Sequence, residues 1–270
     1  MASSGSGASL TEEDGVLTVT FERPEKLNAI NPDMTASLWE AARALGDRDD
    51  LRVLVITGRG RYFTAGIDLA HLAADRRGGK LASDIAYRRT YRRHHLLYDE
   101  FEAIEKPVVL AAQGGCLGAG VEMAASCDFR LAAESAFFRL PETELGVIAG
   151  SGGTSRLTRL VGPHWGKWLA MAGEAVDAEQ AKAIGFVHRV LPDATFAADV
   201  AAFARKLAAL PAEALGAAKL VVDAAADVDR TTARNIDRLT NTALSGRAEF
   251  ARNTSAFLPE TDPAEPESLR

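Results

Sequence analysis

QGGCLGAGVEMAASCDFRLAAESAFFRLPETELGVIAGSGG, residues 113–153, is the stretch on which the rest of the chain turns. Gly114, Gly115, Gly118 and Gly120 crowd its start, and Gly150, Gly152 and Gly153 crowd its end. Between them stand two carboxylates in apolar company. Glu122 interrupts a run of small and apolar residues, and Glu142 follows Pro141 just after Ala136-Phe137-Phe138. Burying a charge without a partner is expensive, so each is either paired or used.

Outward from this stretch the pattern is mixed. Residues 107–112 (PVVLAA) read as a buried strand leading into the first glycine cluster, and 119–126 as a short helix. Phe129-Arg130-Leu131-Ala132 and Ala136-Phe137-Phe138 look like further strands. Upstream, 16–21 and 52–57 are β-branched strands. Between them lies a loop with two prolines and a helix from an Asp33 N-cap to about 45. Gly58, Gly60 and Gly66 mark a long turn. A helical stretch from Asp68 breaks near Gly78-Gly79 and resumes over 83–104. Downstream, 154–160 and 162–172 read as helices, and Asp177-Ala178-Glu179-Gln180 is a capping box. Residues 186–191 form a last strand. Strands alternating with helices predict an α/β core.

Past residue 194 the composition shifts to Ala, Leu, Lys, Arg and Glu without strand signal. Pro211, Asp229 and Gly246 punctuate three or four helices. The expected organisation is a flexible leader over 1–10, an α/β core over 11–194, a helical subdomain over 195–258 and an acidic tail over 259–270.

Composition narrows the function. Hydrophobic residues at 47% and charged residues at 25% of 270 suit a globular protein with one large core. A net charge of −6 argues against a surface built for nucleic acid or anionic membrane. No apolar run approaches the roughly 18 residues of a membrane span. The first residues lack the basic and apolar regions of a secretory signal. Cys116 and Cys127 are too few for a disulfide framework and read as buried thiols in a reducing, cytoplasmic compartment. Four arginines, Arg88, Arg89, Arg92 and Arg93, lie within six positions. They read as a solvated basic helix face or as an anion site. Adjacent His94 and His95 make a poor metal pair. The run from Gly162 to Lys167 is too short for a P-loop, and Gly118-Ala119-Gly120 lacks the third glycine of a dinucleotide fingerprint.

Taken in order, the motifs resemble the crotonase (enoyl-CoA hydratase/isomerase) superfamily over about residues 13–258. They are Arg23-Pro24-Glu25-Lys26-Leu27-Asn28-Ala29, Phe63-Thr64-Ala65-Gly66-Ile67-Asp68-Leu69 and Lys106-Pro107-Val108. Next come Gly114-Gly115-Cys116-Leu117-Gly118-Ala119-Gly120-Val121-Glu122 and Cys127-Asp128-Phe129-Arg130. Pro141-Glu142 with Leu145-Gly146, and Gly152-Gly153-Thr154-Ser155-Arg156-Leu157, complete the set.

The resemblance implies a spiral of β-β-α units followed by helices that build a trimer or a dimer of trimers. It implies an oxyanion hole made by the backbone N–H groups of Ile67 and Ala119. Lys26, Leu27, Ala65, Gly66, Asp68, Leu69 and Gly118 would lie along the acyl-CoA substrate. Hydratases of the family carry glutamates at both motif positions, which here are Glu122 and Glu142. By analogy Glu122 activates water and Glu142 delivers a proton to the α-carbon. Neither a cofactor nor a metal is implied, since coenzyme A is part of the substrate. Dienoyl-CoA isomerases of the family carry an aspartate where this chain has Gly150.

Two departures stand out. The family often ends in a lysine-bearing segment that reaches CoA phosphates, whereas this chain reads Ala256-Phe257-Leu258-Pro259-Glu260-Thr261-Asp262. Arg139 and Leu140 stand where hydratases usually have Gly and Gln, and Arg139 reads either as a contact for an acidic acyl chain or, the favoured reading, as half of an ion pair with a residue such as Glu144. The reading is therefore an enoyl-CoA hydratase. A Δ3-Δ2 isomerase and a C–C bond hydrolase acting on something other than a CoA ester are alternatives, and a non-catalytic binding member is the remote one.

Overall fold

The computed structural model describes residues 7–80 and 83–257. The C-terminal segment from Leu258 onward, where the family's cation is missing, lies outside the described residues, as does most of the leader. The chain forms two compact units, Met1–Leu210 and Pro211–Arg270.

The first unit is built on a six-stranded sheet. Its strands are β1 (Ala8–Glu13), β2 (Val16–Phe21), β3 (Val53–Gly58), β5 (Val108–Ala112), β7 (Phe129–Ala133) and β10 (Arg189–Leu191), ordered β1-β2-β3-β5-β7-β10. β1 and β2 make an antiparallel hairpin, and the other neighbours are parallel. β1 begins at Ala8, inside the stretch expected to be a leader, and pairs residue for residue with β2.

A second sheet accompanies the first, and of its strands only the one at Phe137–Arg139 was among the expected elements. β4 (Tyr62–Thr64), β6 (Gly115–Leu117), β8 (Phe137–Arg139) and β9 (Val176–Asp177) lie in that order. After β3, β5 and β7 in turn, the chain enters this sheet and then a helix. The helices are α2 (Leu69–Arg77) with α3 (Asp84–Ala103), then α4 (Ala119–Ala125), then α5 (Gly153–Ala170). Three β-β-α turns with parallel pairing at each step make a spiral, the crotonase architecture.

Alternation along the strands divides the core. Leu54 and Ile56 of β3 pack on one face with Phe21, Phe63, Phe101, Phe138 and Phe186. That face is closed by α1 (Pro32–Asp47) through Leu38 and Leu45. Val53 and Val55 turn to the opposite face with Val109 and Leu131. There they meet Phe196, Val200, Ala204 and Leu207 of α7 (Phe196–Ala208). This burial places α7 in the first unit, so the division falls after Leu210 rather than after 194.

Local signals shift several boundaries. Asn31, not Asp33, caps α1: its side chain accepts from the Met34 N–H at 2.8 Å, and Pro32 takes the first helical position. The capping box at Asp177 forms as expected and starts α6 (Ala178–Ala183). Gly162, at φ 73°, divides α5 into the two expected helices. Asp128 and Arg130 serve structure. Asp128 accepts from the Val108 N–H at 2.7 Å, and buried Arg130 donates to the Phe186, Ala124 and Cys127 carbonyls.

The second unit holds α8 (Ala212–Ala225), α9 (Arg230–Ser245) and α10 (Ala248–Thr254). Asp229 caps α9 through the Thr231 N–H at 2.9 Å, and Arg247 pairs with Glu213 at 2.9 Å. Leu220, Val222, Leu239 and Phe250 are exposed on these helices.

Candidate active site

Two loops are stitched together to form one side of the site. Leu27 and Asn28 adopt left-handed backbone at φ 50° and 53°. Such strain persists only where the surroundings hold it. Buried Asn28 supplies the hold, donating to the Arg59 and Tyr62 carbonyls at 2.9 and 2.8 Å and accepting from the Arg23 N–H. The Ala65 N–H then donates to Leu27, the Ile30 N–H to Gly66 and the Asp68 N–H to Ile30, at 2.9, 2.8 and 3.0 Å. These bonds leave the Ile67 N–H without an acceptor among the described residues. Asp68 is not free for a ligand: its carboxylate holds Arg23 at 3.1 Å and caps α2 through the His71 N–H. Lys26 and Leu69 are exposed nearby.

Opposite stands the first turn of α4. Gly118, at φ 53° and ψ −118°, is its N-cap, so the Ala119 N–H begins the helix with no intrahelical acceptor. The two donors are brought close. A Cβ built on Gly66 would fall 3.5 Å from the Ala119 nitrogen. The buried Tyr98 hydroxyl donates to the Ala119 carbonyl at 3.3 Å and fixes that peptide's orientation.

Glu122 lies one turn further along α4 and is 4% exposed. Its Oε1 accepts from the Ser151 N–H at 2.7 Å and the Gly153 N–H at 3.3 Å. A side chain at Gly153 would strike it, with a Cβ 2.6 Å from the Glu122 Cγ. Burial pushes its pKa up and the nearby Glu142 carboxylate adds to this. The two N–H groups and Arg156 oppose, and the result is about 7. A pKa raised in this way lies close to neutrality, where a carboxyl can both accept and release a proton.

Glu142 opens the 3₁₀ turn Glu142–Leu145 after β8. Its Oε1 approaches the bare face of Gly118, where a Cβ would sit 2.8 Å away. Its Oε2 is shut off from solvent and has no hydrogen-bond partner among the described residues. Burial raises its pKa. In its protonated form this carboxyl has an O–H with no acceptor among the described residues. Arg139 does not enter the site, since it holds Glu144 and the Gly173 carbonyl, as expected.

A cavity of about 680 Å³ opens between α3 and residues 147–150. Tyr87, Tyr91, Arg88, Arg92 and His95 of α3 line one wall, and Val147, Ile148 and Gly150 the other. The Tyr91 ring lies against Gly150, where a Cβ would come within 2.9 Å of it. Burial, the Tyr87 hydroxyl and the two glutamates together push the Tyr91 phenol up. Among the described residues no cluster of His, Cys, Asp and Glu could hold a metal.

The structure thus gathers Ile67, Ala119, Gly66, Gly118, Glu122 and Glu142 at one place. Tyr98, Ser151 and the Tyr87–Tyr91 wall were not read from the sequence. Each acts through a long-range contact, and only the i, i+4 spacing of Tyr87 and Tyr91 hinted at a shared face.

The profile described as enoyl-CoA hydratase/isomerase matches residues 11–264. The chain belongs to that family, the crotonase superfamily. It is 34% identical over 251 residues to 1,2-epoxyphenylacetyl-CoA isomerase of Escherichia coli (strain K12), covering 93% of this chain and 95% of that one. It is 33% identical over 254 residues to 2,3-dehydroadipyl-CoA hydratase of the same organism, covering 94% and 96%. The crystal structure of an enoyl-CoA hydratase from Bacillus anthracis superposes with a TM-score of 0.85 at 28% identity, over 93% of this chain and 95% of that one.

Proposed function

We propose that this chain is an enoyl-CoA hydratase that adds water across a 2-trans-enoyl-CoA thioester. One observation carries the reading. A buried carboxyl, Glu122, and a half-buried one, Glu142, both with raised pKa values, stand beside two backbone N–H groups unengaged among the described residues, and one Glu142 oxygen has no hydrogen-bond partner there either. Glu122, as carboxylate, takes a proton from water, and the oxygen adds to the β-carbon. The thioester oxygen becomes an enolate facing the Ile67 and Ala119 N–H groups, each worth about 3 kcal/mol in a dry site. Glu142, as acid, gives its proton to the α-carbon and the carbonyl reforms. Protons balance: one enters Glu122 and one leaves Glu142, and exchange with solvent resets the pair. The reaction needs no cofactor.

The family's description as enoyl-CoA hydratase/isomerase favours one further reading, a 1,3-proton shift by a single carboxylate without water. Crotonyl-CoA turnover followed at the enoyl thioester absorbance tests the proposal. Glu122→Gln and Glu142→Gln should each lower the rate by at least about a hundredfold. Near-normal turnover in either variant refutes the two-carboxylate mechanism. Conversion of a 3-enoyl-CoA without hydration marks an isomerase instead.

The same reading proposes a homotrimer or dimer of trimers, with exposed Leu220, Val222 and Leu239 covered by other copies. A monomer in sedimentation would refute it. Among the described residues no helix is long and apolar enough to cross a membrane.

A further inference from the structure

We propose that Arg88 and Arg92 form a subsite for a carboxylate at the far end of the acyl chain, so that the preferred substrate is an ω-carboxy-2-enoyl-CoA. The inference rests on the acyl-CoA reading above and names its substrate class.

The cavity is far larger than a four-carbon tail requires, at about 680 Å³. Its lining includes Gly150, whose neighbour Ser151 grips Glu122, so it lies close to that carboxylate. Part of its lining is apolar. Val147 and Ile148 face the Tyr87 and Tyr91 rings, which are packed 4.7 Å apart with their hydroxyls 3.1 Å from each other. A methylene chain fits such walls.

Two arginines share that lining. Arg88 and Arg92 are four apart on α3 and so lie on one face. Among the described residues no carboxylate lines the cavity. Neither guanidinium has an ion pair among the described residues, although this chain carries more acids than bases. His95 is already engaged, its Nε2 lying 2.5 Å from the Gly150 carbonyl oxygen. Two guanidiniums without an ion pair among the described residues, set beside apolar side chains, suit a carboxylate, which accepts paired N–H donors. The CoA phosphates are a poorer match. The loops stitched at Leu27 and Ala65, where CoA is expected, do not line this cavity.

The test compares six-carbon substrates of equal length, a 2-enoyl-CoA ending in carboxylate and one ending in methyl. Wild type should favour the carboxylate by about tenfold or more in kcat/KM, and added salt should shrink the preference. Arg88→Ala with Arg92→Ala should bring the ratio close to one, whereas Arg93→Ala, outside the cavity, should leave it. Calorimetry with adipoyl-CoA, hexanoyl-CoA and free CoA supplies a second reading. Adipoyl-CoA should bind wild type more tightly than hexanoyl-CoA, and free CoA should bind wild type and the double variant alike. Turnover of both substrates without preference, or a preference that survives the double substitution, overturns the subsite and leaves the hydratase reading intact. Weaker binding of free CoA in the double variant also overturns it, assigning the arginines to CoA phosphates. Tighter adipoyl-CoA binding without any hydration upholds the subsite and overturns the hydratase reading.

Discussion

Arg156 donates from Nη1 to the Ser151 carbonyl at 3.2 Å, while the N–H of the same Ser151 holds Glu122 at 2.7 Å. The guanidinium also grips Glu102 at 2.8 Å and Asp99, both on α3. Arg156 thereby fixes the loop that orients Glu122, the proposed base, and lends it positive charge. Arg156→Ala should lower kcat about tenfold or more, because a loosened base loses its aim. It should also move the acid limb of the pH–rate profile upward, because a nearby cation no longer favours the carboxylate. Arg156→Lys, which keeps the charge without the fork, should restore the limb more fully than kcat. A purely structural residue would lower thermal stability and leave the limb in place, and that result would refute the positioning role.

The pH profile of the wild type follows from the pair. In the proposed mechanism Glu122 acts ionised and Glu142 protonated, and the Glu122 pKa is pushed up to about 7. Below that value kcat/KM should fall by about one decade per pH unit. Burial raises the Glu142 pKa, so activity should fall again on the alkaline side. The two carboxylates interact, so the limbs belong to the pair rather than to either residue. Steady-state kinetics on a short enoyl-CoA would show a bell. An acid limb near the ordinary carboxylate range would show that Glu122 does not serve as the base.

The same raised pKa makes Glu122 a liability for folding. A carboxyl that binds its proton more tightly when folded loses stability as pH rises from about 4.5, its ordinary value, through about 7. At pH 8 the buried charge should cost on the order of 3 kcal/mol. Glu122→Gln keeps an acceptor for Ser151 and Gly153 but carries no charge. It should therefore melt a few degrees above wild type at pH 8 and lose this advantage by pH 4. Calorimetric melting of both proteins at the two pH values checks this. A variant less stable than wild type at pH 8 would show that the carboxylate is a structural anchor.

Much of this site was legible because its chemistry is local in sequence. Gly118, Ala119 and Glu122 sit within one turn of α4, and Glu142 is announced by Pro141. The six-stranded sheet was largely legible too, since strands such as β3 and β5 are continuous apolar runs. Most of the second sheet was not. Tyr62–Thr64 and Gly115–Leu117 are three-residue strands among glycines, too short for any periodicity to show. β1 carries Thr11, Glu12 and Glu13 on an edge, so its composition suggests a tail, and only the pairing with β2 makes it a strand. Arg156 was in view as a motif residue. Its partners on α3 lie more than fifty positions upstream, and no spacing reveals them.

Two glycines offer the sharpest contrast in outcome. Gly118 is held at φ 53°, and a Cβ there would lie 2.8 Å from the Glu142 Oε1. Gly118→Ala forces the acid aside and strains the peptide that presents the Ala119 N–H, at about 1–2 kcal/mol for the backbone alone. Turnover should drop by about a hundredfold or more, since the oxyanion donor and the acid move together. Gly46 sits inside α1 with nothing within 4 Å of its missing Cβ. Gly46→Ala should stabilise the protein by about 0.5–1 kcal/mol through helix propensity and leave kcat unchanged. Denaturant unfolding and initial rates on both variants, measured side by side, decide it. If Gly118→Ala retained activity, the slot between Gly66, Gly118 and Glu142 would not be where the thioester lies.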